Sequence, residues 1–89
     1  MPNQLPNADA VGLEFLRTEL TTGLTFSKIA LDETKDESKV ERNRDNARKA
    51  YNAVLHFMPG TILSAAESKE IEARMAQLRS ALQQLGEDV

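Results

Sequence analysis

Wherever this chain is apolar, its apolar residues return at steps of three and four. That spacing lines one face of a helix, and the two-residue alternation of a half-buried strand is missing. The last such segment is the plainest: Ile71, Met75, Leu78, Leu82 and Leu85 form one narrow seam. A middle segment is wider, with Val40, Ala47, Ala50, Tyr51, Val54, Leu55, Phe57 and Met58 on one side and Glu41, Asp45, Lys49, Asn52 and His56 on the other. Only four residues are aromatic, three Phe and one Tyr, whereas Ala, Leu, Glu, Lys, Arg and Gln are plentiful. This choice favours helix over sheet.

Local punctuation divides the chain into three helices. Residues 1–7 carry two prolines and two asparagines and read as a disordered tail. The polar run from Asp32 to Ser38 offers two overlapping capping boxes, Thr34 with Glu37 and Ser38 with Glu41, which leaves the start of the second helix open by about one turn. Pro59-Gly60 ends that helix, Ser64 with Glu67 makes a third capping box, and Gly86 closes the last helix. The expected fold is all-α, an antiparallel three-helix bundle with helices at about 8–32, 36–58 and 64–85. It is a single domain over 8–86, and 89 residues leave room for little more.

The first helix carries two apolar stripes. Leu13, Leu16, Leu20, Leu24 and Leu31 make one, and Val11, Phe15, Phe26 and Ile29 make another nearly opposite. Between them on one side lie Gly12, Glu19, Gly23, Ser27 and Ala30; on the other, Glu14, Arg17, Thr21, Thr25, Lys28 and Asp32 are expected to face water. An apolar arc of about 200° can serve two neighbours, with small residues where they come closest. Either this helix lies in the groove between the other two, or its second stripe belongs to another chain. Gly23 costs a helix about 1 kcal/mol relative to alanine. It marks a close helix contact, or else a kink or a break into two short helices.

Composition bounds the chemistry. A net charge of −3 argues against a general binder of nucleic acid or anionic membrane. The absence of cysteine removes disulfides, thiol nucleophiles and thiolate metal sites. The start lacks the basic and apolar regions of a secretory signal, and no stretch approaches the ~20 apolar residues of a membrane span. His56 is the single histidine, on a polar face, with no second ligand near it in sequence. The four glycines are isolated, so no phosphate loop is present. Glu19 alone among the carboxylates points into the apolar arc, where Arg44 or Arg74 is the expected partner. No catalytic, metal or cofactor-binding residues are expected, nor a small-molecule substrate. A basic run, Arg42, Arg44, Arg48 and Lys49, could suit nucleic acid, but Asp45 interrupts it and the first helix is net acidic.

The spacing Ala47-x3-Tyr51-x2-Val54-Leu55-x3-Pro59 resembles the second helix of a tetratricopeptide repeat, and three-helix MIT domains use similar Ala/Tyr packing. The resemblance covers about 13 residues. Gly23-x2-Phe26 is similar to the first-helix part of that repeat, but lies too far from Ala47 for its ~34-residue unit. It implies a scaffold that binds partner helices or peptides and performs no catalysis. The sequence thus reads as a cytoplasmic protein-interaction or assembly module that contacts either a second copy, as a homodimer, or another protein through Val11, Phe15, Phe26 and Ile29. The alternatives are a nucleic-acid-binding helical protein and a structural accessory with no ligand.

Overall fold

The computed structural model describes residues 8–89, with side chains from Val11 onward; the tail read over residues 1–7 lies outside the described residues. Among the described residues three α-helices follow one another: α1 (Ala8–Asp32), α2 (Glu37–Phe57) and α3 (Ala65–Gln84). A 3₁₀ turn, Met58–Gly60, follows α2. Phe15 meets Phe57, and Gly23 lies against Ala50, so α2 runs antiparallel to α1. Arg17 meets Glu70 and Thr21 meets Arg74, so α3 runs parallel to α1. The bundle is therefore up-down-up, with α1 against both other helices and most extensively against α2.

Each boundary has a local cause. The N-cap of α2 is Asp36, and neither of the two anticipated capping boxes forms. Its carboxylate accepts the Lys39 backbone N–H at 3.1 Å and the Ser38 hydroxyl at 3.0 Å. A charged acceptor at the positive helix end outcompetes the neighbouring hydroxyls. At the far end Pro59 supplies no N–H to continue α2, while the Thr61 hydroxyl donates to the Phe57 carbonyl at 2.9 Å. The Ser64–Glu67 box forms in both directions, at 3.1 and 2.9 Å. Gly86, at φ +92°, allows a Schellman turn: Glu87 N–H donates to the Leu82 carbonyl at 2.9 Å and Gly86 N–H to that of Gln83 at 3.0 Å.

The core is a line of leucines from α1 (Leu13, Leu16, Leu20) against Ala47, Tyr51 and Val54 of α2 and Ile71, Leu78 and Leu82 of α3. Leu24 and Met75 are partly buried against it, whereas Leu31, at the end of its stripe, is exposed. The small positions Gly23, Ser27 and Ala30 are buried. At Gly23 an added Cβ would stand 2.7 Å from Leu78 Cδ2 and 3.1 Å from the Ala50 Cβ, so all three helices converge there. Helix α1 passes through Gly23 without a break. The glycine serves close approach and does not divide the helix.

Two expectations about faces need correction. Arg17 and Thr21 do not simply face water. The Arg17 guanidinium forks onto Glu70 through Nε and Nη2, both at 2.8 Å, and Arg74 Nη2 donates to Thr21 Oγ1 at 2.8 Å. One edge of the polar face of α1 is a seam with α3. Leu55 and Phe57, placed on the inner side of α2, are exposed. The inner arc of α2 runs from Asn43 through Ala47, Ala50 and Tyr51 to Val54, because two neighbours in a three-helix bundle leave both flanks of α2 open.

Arg17 holds the Glu70 carboxyl below its ordinary value of 4.5 through the side-chain hydrogen bonds. The Lys39 amide, then the Ser38 hydroxyl, do the same for Asp36, below 3.8. Carboxyls depressed on folding stabilise the folded state above their unfolded values, and that contribution is lost as pH falls through the folded ones. The melting temperature should therefore hold from neutrality to about pH 5 and drop below about pH 4. Glu70→Gln should lower it at pH 7 and flatten the acid limb. Identical pH profiles for variant and wild type would show that the fork contributes nothing.

Candidate interaction surface

The structure divides the two stripes of α1 as the bundle requires. The leucine stripe as far as Leu24 enters the core or its edge, and the other stays largely outside. Val11 is 53 % exposed, Phe15 and Ile29 39 % each, while Phe26 is half-buried against the edge of the core. Helix α2 adds Phe57, 51 % exposed, whose ring meets Phe15 edge-on with centroids 5.0 Å apart. His56 lies against the same ring at 4.8 Å and is itself exposed. The result is an aromatic knob at one end of the α1–α2 face, with Val11 one turn away on α1.

The middle of this face is a shallow hollow of about 260 Å³ between α1 and α2, walled by Glu19, Thr22, Phe26, Asn46, Lys49 and Ala50. Glu19 does not reach Arg44 or Arg74. Arg44 lies about ten residues, or about 15 Å, further along the bundle, and Arg74 serves Thr21 from α3. Among the described residues neither Glu19 nor Lys49 has an ion-pair or hydrogen-bond partner in this chain. Ile29 marks the other end of the stripe.

The basic run of α2 is arranged differently. The Schellman turn swings Glu87 back over α2, where its carboxylate lies 2.9 Å from Arg48 Nη1 and 3.4 Å from Arg44 Nε. Two of the four cations are thereby engaged within the chain, leaving Arg42 and Lys49 exposed. Val89 packs at the edge of the core beyond this turn. Sequence reasoning missed this clip, since nothing local shows where residues after α3 will lie. The described residues hold no group of three or more His, Asp or Glu placed for a metal ion, and none of the helices is long and apolar enough to cross a membrane.

No protein-family model matches the chain, and no curated protein or solved structure does so. The functional reading therefore rests on the geometry of this surface.

Proposed function

We propose that this chain is a cytoplasmic, non-catalytic interaction module that holds a protein helix, from another copy or another protein, against the outer face of α1. One observation carries the reading: Phe15 and Phe57 pair with each other at the surface, with Val11 beside them, outside the core that the inner leucines complete. Exposed aromatics gathered on one face supply the apolar anchors of a contact surface. A second helix laid along α1 would meet them at helical spacing. The tetratricopeptide-like spacing from Ala47 to Pro59 points to the same class of partner.

Phe15→Glu tests this. It is expected to keep the helical circular dichroism and to lose the proteins that the wild-type chain retains from its native extract. Retention of the same proteins by the variant would contradict the reading.

A further inference from the structure

The outer stripe of α1 reads almost the same from either end. Val11, Phe15, Thr18, Thr22, Phe26 and Ile29 run β-branched, Phe, Thr, Thr, Phe, β-branched, and they mirror about Leu20–Thr21. The relief alternates too. The Phe15–Phe57 knob lies on one side of that midpoint, and the hollow reaches from Glu19 past the midpoint to Phe26 on the other. Phe15 and Phe26, at the far end of the hollow, are eleven residues apart, or about 16 Å of helix.

We infer that a second copy of this chain occupies this face, with α1 antiparallel to its counterpart about a two-fold axis near Leu20–Thr21, so that each Phe15–Phe57 knob enters the Phe26 hollow of the other copy. The inference rests on the proposed role of the face as a contact surface and adds the occupant and its register.

Shape selects the antiparallel arrangement. A two-fold axis along the helices would set knob against knob and hollow against hollow. An axis perpendicular to α1 sets both knobs into both hollows, as an isologous contact requires. Charge agrees. In this register Glu19 of each copy lies level with Thr22 of the other, about one turn from the other copy's Lys49. These are the two charged groups of the hollow, and among the described residues neither has a partner within its own chain. By symmetry the pair would form twice.

The area suffices for a reversible dimer. From Val11 to Ile29 the stripe is about 27 Å long, and with α2 beside it the face is about 20 Å wide. About 1,000 Å² is then buried in total, the lower bound of a specific interface. Association should accordingly be weak and concentration-dependent.

Sedimentation equilibrium of the full chain provides the test. Wild type should shift from 9.9 kDa toward twice that mass as concentration rises. Glu19→Lys and Lys49→Glu, each placing like charges together at two points, should each weaken the dimer about tenfold. An equimolar mixture of the two variants should recover association, because in that pair both contacts join opposite charges. The recovery also shows that both variants are folded. Wild type that stays monomeric to about 1 mM would overturn the second copy as occupant. A dimer indifferent to both substitutions, or a mixture no tighter than its components, would overturn the register. A monomer whose Phe15→Glu variant still loses retained proteins leaves the contact surface standing with a different occupant, whereas one whose variant retains them removes both.

Discussion

Leu78→Ala should lower the unfolding free energy by about 3–5 kcal/mol. Leu78 is fully buried, and with Ile71 and Leu82 it forms the fully buried seam by which α3 is held. One of its methyl groups packs against α1 at Gly23, where there is no side chain to move into the vacated space. Backbone closes that side of the cavity, which places the cost in the upper part of the range for buried leucines. A domain of this size has only about 4–13 kcal/mol in all. The loss should appear in urea unfolding as a lower midpoint with an unchanged slope. A midpoint within experimental error of wild type would show that α3 is held by something other than this seam.

Gly23→Leu should be about as damaging, at about 3 kcal/mol or more, through the opposite mechanism. The first added carbon already stands 2.7 Å from Leu78 Cδ2 and 3.1 Å from the Ala50 Cβ. The leucine methyl could rotate, but the alanine Cβ moves only with the α2 backbone. Any larger side chain must therefore push α1 away from both neighbours at once. Helix propensity acts the other way, by about 1 kcal/mol, and is too small to compensate. Were Gly23 a flexible joint, a helix-favouring residue would stabilise the protein and raise its melting temperature. Replacement therefore separates the two explanations by sign.

The features legible in the sequence were those whose cause lies within a few residues. Ser64 and Glu67 satisfy each other's backbone, Pro59 cannot continue a helix, and Gly86 takes the left-handed turn that ends α3. The smallness of Gly23, Ser27 and Ala30 signalled close packing without naming the partner. The hydroxyl spacing points to a cap at Thr34 or Ser38, but Asp36, between them, takes that place, because Ser38 donates to the Asp36 carboxylate instead of capping for itself. The Arg17–Glu70 fork depends on the register of α3 along α1, which periodicity leaves open. The Glu87 clip depends on where a turn after α3 points. Exposure of Leu55 and Phe57 follows from the number of helices in the bundle, since a fourth helix would bury one flank of α2. At the interaction surface the outer stripe was readable from α1 alone. Its contribution from Phe57 and the half-burial of Phe26 required the three-dimensional arrangement.

Phe15 and Leu16 are adjacent in the chain and belong to different stripes, one at the surface and one fully buried. If the inner stripe folds the protein and the outer one binds, the same substitution at the two positions must have different consequences. Circular dichroism and sedimentation of Phe15→Glu and Leu16→Glu, measured together with wild type, compare them directly. A carboxylate at position 16 has no hydrogen-bond partner in the leucine core and should abolish the cooperative unfolding transition. At position 15 it should leave the helical signal and the unfolding of the monomer nearly unchanged, while removing the rise in mass with concentration and the retention of partner proteins. If Phe15→Glu unfolds the chain as Leu16→Glu does, the outer stripe is part of the fold and the contact surface does not exist.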